Sequence, residues 1–387
     1  MTKKGGGAFV DFNHPQAFSI YGLQKYGKTS TILSLVEMMM SSKRRISHVP
    51  RPYGGVWAHF GMGESYPPGI CQARYPNNER QSLHFLTQTL GTLPEEIKAN
   101  LMVFTPPMLP EQLAERQAQF PGLPVEPLAM TVEDFGLQGV RIFMAAADNS
   151  AVYMSVLDQA LRALNPRASL ADVEAALEAA PFTGQGRALC MARWAALRPY
   201  LTGTTSIRHR LKPGVLIVLD IRGEWITERE AMALFAILMN TFSLALDDNG
   251  QKFMKFMVFD EAQKYMAKGR VTSEVVAMIR EVRHRLMTVL IASQDPEALE
   301  FEVHKLSTIC IVHKTRSIDS LKVLRRGNAA WDTVTIAQLA AQEQGDAFIA
   351  TSDASLDEWK LAANSCHVRP TCAKPGGTTQ TAVAEDG

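Results

Sequence analysis

The chain has 387 residues, with 40 lysines and arginines against 39 acidic residues, a formal charge of +1. Hydrophobic residues make up 46% and charged residues 20%, the balance of an ordinary globular protein, which excludes a disordered chain and a polybasic binder of nucleic acid. Any nucleic-acid contact must therefore come from a local patch.

The length admits two or three domains, or one large α/β domain. Residues 1–7 hold two lysines and a glycine run but no apolar core, so no signal peptide is expected. The five cysteines (Cys71, Cys190, Cys310, Cys366, Cys372) are odd in number and scattered, and their spacing fits no common zinc site. A reduced, cytoplasmic chain is the expectation.

In chain order, residues 16–21 read as a short apolar strand. Residues 29–40 carry apolar side chains at Ile32, Leu35, Val36, Met39 and Met40, a helical period. Lys43, Arg44 and Arg45 follow, where positive charge suits a helix C-terminus. Strands are predicted at 54–60 and 101–105. Segments 61–80 and 106–135 are rich in proline and glycine and read as irregular. Helices are predicted at 151–164 and 170–180, the second opened by Ser169 with Asp172 three residues on, a capping box. Residues 231–246 are the most apolar stretch, too short to span a membrane and suited to a buried helix. Short runs at 215–220, 256–260, 289–292 and 309–312 are apolar on both faces, as in a buried parallel sheet. Helical segments separate them, which argues for an α/β protein. Beyond Pro370 the chain is rich in glycine, threonine and alanine and is expected to be disordered.

Between the first strand and the first helix lies Gly22-Leu-Gln-Lys25-Tyr26-Gly27-Lys28-Thr29, which matches G-x-x-x-x-G-K-[ST]. Glycines let such a loop curl so that its N–H groups point at phosphate oxygens, and the helix that follows offers its N-terminus to the same anion. The loop from Gly22 to Ser30 is thus a candidate nucleotide site, with Lys28 on the phosphates and Thr29 on a magnesium ion.

A phosphate-loop enzyme also needs a carboxylate at a neighbouring strand end. Asp220 and Asp260 both end apolar strands. Only Asp260 is followed by a second carboxylate, Glu261, which suits the orientation or deprotonation of an attacking water. Asp260 and Glu261 are therefore preferred, and Asp220 is read as a strand-end cap or turn residue. The run 289–292 ends in Ser293 and Gln294 before Pro296. Gln294 is either a sensor of the γ-phosphate and its water or a loop cap. Between these strands, residues 262–285 carry Lys264, Lys268, Arg270, Arg280, Arg283 and Arg285 against Glu274 and Glu281. This charge is either a solvated helix face, or an arginine finger for a neighbouring subunit with lysines facing nucleic acid.

The phosphate loop, the strand ending Asp260-Glu261-Ala-Gln263, and Arg283-His-Arg285 running into a strand that ends Ala-Ser-Gln294-Asp-Pro resemble the HerA/FtsK superfamily. Weaker likenesses lie at 100–106, 211–220, 344–350 and 368–379. The resemblance implies a RecA-like P-loop NTPase with a mostly parallel central sheet, and a ring-forming, hexameric class of ATPase that pumps double-stranded DNA using ATP and Mg²⁺. Related members drive conjugation, type IV secretion and viral genome packaging. It further implies Lys28 and Thr29 as Walker A, Asp260 as metal ligand, Glu261 as catalytic base, Gln294 as sensor and Arg283, with Arg285 as rival, as the finger acting in trans. Thr315-Arg316-Ser317 occupies the place of a second basic group. Lys264, Lys268 and Arg270 become candidate DNA contacts.

The departures are a loop that begins at residue 22, without the barrel that HerA proteins carry ahead of it, and the absence of a membrane domain of the FtsK kind. The expected organisation is an N-terminal arm at 1–14, an ATPase core at 15–147 and 201–370, a helical insertion at 148–200 and a disordered tail at 371–387. Two other functions stay open. One keeps the ATPase and changes the cargo to protein, as in secretion. The other is an ATP-dependent oligomeric scaffold for a partner such as a nuclease.

Overall fold

The computed structural model describes residues 10–41, 46–62, 67–90, 92, 100–146, 151–266, 276–277, 279–352 and 357–374. Lys43–Arg45 and most of the expected tail lie outside the described residues, as do Lys268 and Arg270.

Among the described residues, ten strands form one sheet in the order β10-β9-β8-β1-β7-β6-β2-β5-β3-β4. They are β1 (Ala17–Tyr21), β2 (Gly54–Gly61), β3 (Asn100–Thr105), β4 (Val125–Pro127), β5 (Val215–Arg222), β6 (Lys255–Phe259), β7 (Met287–Ser293), β8 (Ile309–Val312), β9 (Asp346–Thr351) and β10 (Asn364–His367). Pairing from β8 to β4 is parallel, while β9 and β10 add antiparallel edges. The fold is α/β with a mostly parallel sheet, as the apolar runs imply.

Each central strand buries both faces, and successive side chains divide between two cores. In β5, Leu216 and Val218 join one core, and Ile217, Leu219 and Ile221 the other. In β6, Phe256 and Val258 oppose Met257 and Phe259 in the same way. The first core is closed by α1 (Lys28–Met40), whose Ile32, Leu33, Leu35, Val36 and Met39 are all buried.

The second core is larger. It is filled by α8 (Glu228–Ser243), which buries residues around its whole circumference, as the apolar stretch at 231–246 implied. Each large apolar side chain so buried contributes about 1.5–3 kcal/mol. Among the described residues, no helix is long and apolar enough to cross a membrane. On α8 packs α4 (Val132–Met144); α5 (Ala151–Arg162) and α7 (Gly184–Leu197) pack on α4, and α6 (Leu170–Ala179) on α5. The Ser169 capping box forms, its hydroxyl accepting from the Asp172 N–H at 3.2 Å.

Two readings are corrected. Segment 106–135 is not irregular: it contains α3 (Pro110–Ala118), β4 and the start of α4. Pro110 stands in the first turn of α3, where its fixed φ helps and its missing N–H costs nothing, so proline density there marks a helix start. Asp220 is not a cap. Strand β5 runs on to Arg222, and the Asp220 carboxylate is fully buried between Arg222 (2.6 Å) and Arg116 (2.8 Å). That pairing with two guanidinium groups is what a carboxylate requires once it is taken out of water.

Candidate nucleotide site

The sheet order separates the two strand-end aspartates. Neighbouring strands lie about 4.8 Å apart, so β5 with Asp220 stands roughly 19 Å from β1 and β6 with Asp260 roughly 10 Å away. Strand β7, carrying Gln294 beyond its end, lies between β1 and β6. Tyr21 pairs with Ser293, and Phe259 with Ile291. The phosphate loop, Gln294, Asp260 and Glu261 therefore emerge together at the carboxyl edge of three adjacent parallel strands.

The loop leaves β1 at Gly22 (φ 145°) and enters α1 through Gly27 (φ 110°), with Lys25 also left-handed at φ 71°. The two glycines hold conformations closed to most side chains. Lys28 is the first residue of α1 and is buried. Its ammonium donates to the carbonyls of Gly22 (2.7 Å) and Leu23 (3.2 Å). Burial pushes the Lys28 pKa below its ordinary value, and the charges of Glu261, Asp260 and Asp295 oppose that. Thr29 and Ser30 follow in the first turn, both partly buried. The ring of Tyr26 lies under the Lys314 ammonium at 4.8 Å, and Lys25 is exposed.

Across from the loop, the Asp260 carboxylate accepts from the Glu261 N–H at 3.1 Å. Burial and the adjacent Glu261 charge push its pKa up to about 6, against the pull of His59 and Lys28. Glu261 itself holds a left-handed backbone (φ 51°), a strain of about 1–3 kcal/mol that marks functional positions. Gln294 donates its amide to Glu261 Oε2 at 2.7 Å, and Gln263 donates to the same oxygen. Gln263 Oε1 in turn accepts the Gln294 backbone N–H at 3.1 Å. The Thr29 hydroxyl and the Asp260 carboxylate form an all-oxygen donor pair. That fits Mg²⁺, which takes one or two protein oxygens and completes its shell with phosphates and water.

Arg283 and Arg285 lie at the other end of the sheet. They sit in a short helical turn, Val282–Arg285, that leads into the amino end of β7. The seven residues of β7, roughly 23 Å of extended chain, separate this turn from the strand's far end at Ser293. The Arg285 guanidinium donates to Asn240 (2.7 Å) and Ser243 (2.8 Å) on α8 and pairs with Glu281 at 2.8 Å. The side chain of Arg283 lies outside the described residues. Lys264 follows Glu261 in a 3₁₀ turn, its N–H donating to the Glu261 carbonyl at 2.9 Å. Arg316 is exposed, while Ser317 and Ser320 both donate to Glu297.

Three residues of the site escaped the sequence reading: Gln263, Asp295 and His313. His313 directly follows β8 and is fully buried beneath the loop. A polar residue just past an apolar strand is the signal that singled out Asp260 and Gln294, and it applied here too. A cavity of 330 Å³ also opens beside α1, lined by Thr31, Ser34, Leu35 and Met38 and by Val368 and Arg369.

The chain is similar to VirB4 of Thermoanaerobacter pseudethanolicus, with 12% identity over 95% of this chain and 94% of that one, at a TM-score of 0.52. It has the fold of the RecA-like P-loop ATPases. Lower similarities are to the bacterial conjugative coupling protein TrwBΔN70 (9% identity, 94% and 89% covered, TM-score 0.49) and to the genome packaging NTPase B204 of Sulfolobus turreted icosahedral virus 2 (16%, 42% and 72%, 0.31). No protein-family model matches the chain, and no curated protein does.

Proposed function

We propose that this chain is a Mg-ATP-driven ring motor that translocates double-stranded DNA. The observation that carries the ATPase reading is the Glu261 carboxylate, held by Gln294 and Gln263 across the strand ends from Lys28. In this reading the loop N–H groups and Lys28 bind the β- and γ-phosphates. Thr29 and Asp260 hold the magnesium, which supplies positive charge to the phosphates when bound. Glu261 takes the proton of the attacking water. Gln294 orients that carboxylate and senses the γ-phosphate beside it.

The motor reading rests on the motif resemblance and on the arginines. Neither Arg283 nor Arg285 stands near its own chain's phosphate loop, so a finger from this segment works only on a neighbouring copy. Arg285 is engaged with Asn240, Ser243 and Glu281, which leaves the role to Arg283. A homo-oligomer, hexameric as in the family resembled, then follows. Lys264, with Lys268 and Arg270, would meet DNA phosphates. Residues 15–147 and 201–370 make the motor core, and 148–200 is a helical insertion. The five cysteines are all buried and none is joined in a disulfide, which suits a reducing cytoplasm.

The test is ATP hydrolysis with and without duplex DNA, beside native mass measurement. A DNA-stimulated hexamer is expected. Turnover that DNA leaves unchanged sinks the motor reading, in favour of protein cargo or of an ATP-dependent scaffold for a nuclease or other partner.

A further inference from the structure

His313 occupies the space that the phosphate loop curls over. A Cβ placed on Gly22 would lie 2.6 Å from the His313 Cβ, and one on Gly27 would lie 3.3 Å from the His313 Cε1. Both left-handed glycines of the loop thus rest on this one side chain. The backbone is joined as well. The His313 N–H donates to the Tyr21 carbonyl, and the Leu23 N–H to the Lys314 carbonyl, both at 2.8 Å.

The ring bonds define its own state. Nδ1 lies 2.8 Å from the Asp346 carbonyl oxygen, which can only accept, so Nδ1 carries the proton. Nε2 is then the bare nitrogen and accepts the Thr31 hydroxyl at 2.8 Å. Thr31 lies in the first turn of α1, the turn whose N–H groups face the phosphates. Asp346 opens β9, two strands beyond β1, and its carboxylate pairs with His367 at 3.1 Å.

We infer that His313 is the positioning residue of the phosphate loop: a neutral strut that holds Gly22, Gly27 and the first turn of α1 in their anion-binding shape and ties them to β9. This rests on the reading of the loop as a nucleotide site. His313 acts through Thr31 and the two glycines and touches no phosphate itself. Its loss leaves the loop free to relax, so the N–H groups must be reordered each time a phosphate binds.

The test measures binding of the fluorescent analogue mant-ATP with Mg²⁺ to the whole chain, with KM and kcat for ATP alongside. Wild type and Lys28→Ala come first. Binding by the wild type and its loss in Lys28→Ala establish the site, and a wild type that does not bind overturns both readings together. Thr31→Val keeps the shape of the side chain and removes the hydroxyl. Its Kd and KM should rise about tenfold with kcat little changed and the fold retained. Thr31→Ser, which keeps the hydroxyl, should restore both. His313→Asn should raise Kd by a similar factor, and the double variant with Thr31→Val should be no weaker than the poorer single one. If His313→Asn fails to fold, the Val and Ser pair still decides. Wild-type affinity in a folded Thr31→Val variant, no rescue by serine, or effects that multiply in the double variant would each overturn the inference.

Discussion

Gln294 donates its side-chain amide to the Glu261 carboxylate at 2.7 Å, across the gap between two adjacent parallel strands. The bond joins the group proposed to take a proton from water to the group proposed to sense the γ-phosphate. Glu261→Gln should therefore keep nucleotide binding and lower hydrolysis by about 10²–10⁴-fold, the usual worth of a general base. Gln294→Ala should also slow turnover. In the double variant the two losses should be far from additive, because the pair acts as one unit. Steady-state ATPase rates with a parallel binding assay measure this. An unchanged rate in Glu261→Gln removes the base assignment.

Lys28→Ala should abolish nucleotide binding altogether. The lysine is buried in the loop, and its ammonium already lies against the Gly22 and Leu23 carbonyls, where phosphate oxygens would compete for it. Alanine removes the charge and leaves those carbonyls unpaired. Calorimetric titration with Mg-ATP would show no heat beyond dilution, and a Kd within tenfold of wild type would exclude Lys28 from the phosphates.

How much of this was legible in the sequence depends on how local each signal is. The phosphate loop, Asp260-Glu261 and the buried strands are written in consecutive residues, and each lies within two residues of its expected place. The position of His313, just past an apolar strand, was open to the same local signal, but its role was not legible, because that comes from the pairing of β8 with β1, residues nearly 300 positions apart. Helix α3 was hidden for a different reason: its proline stands where a helix begins, and a count of prolines ignores position. Of the two partners of Asp220, Arg222 stands two residues on, but Arg116 was out of reach because it comes from a loop-flanking helix a hundred residues earlier.

Acid should destabilise the fold through His304. Its Nε2 lies 3.0 Å from the Pro296 carbonyl and so carries the proton, and its Nδ1 accepts the Tyr21 hydroxyl at 2.9 Å. Burial pushes its pKa from 6.5 down to about 4, so the folded state resists a proton that the unfolded state takes. Stability from this group is complete above about pH 6.5 and falls as the pH drops from there towards 4, by about 3 kcal/mol at most. Thermal unfolding between pH 7.5 and 5 should show a fall in midpoint that His304→Gln makes shallower. An equal slope in the two proteins would rule this histidine out as a source.

Arg283 is expected to act on a neighbouring copy. Arg283→Ala should cost about 10³-fold or more in turnover and leave nucleotide affinity nearly intact. Mixing it with Lys28→Ala protein tests the geometry directly. Each variant alone is inactive, but a mixed ring contains some interfaces with an intact loop on one side and an intact arginine on the other. Activity should reappear on mixing. If it does not, or if Arg283→Ala loses nucleotide affinity, the arginine works within its own chain, which the length of β7 opposes.

Duplex DNA should bind this nearly neutral chain through few phosphate contacts per subunit. A net charge of +1 gives no general attraction, so binding must depend on the basic segment that begins at Lys264. Affinity should fall steeply with salt and be indifferent to sequence, since phosphate contacts release counterions and read no bases. Lys264→Ala should weaken binding to all duplexes alike and reduce the slope of log affinity against log salt by about one for each altered contact. Fluorescence anisotropy at several salt concentrations, with two unrelated duplexes, measures both quantities. A salt slope identical to wild type would take Lys264 out of the DNA path, and a preference between the duplexes would contradict backbone-only contact.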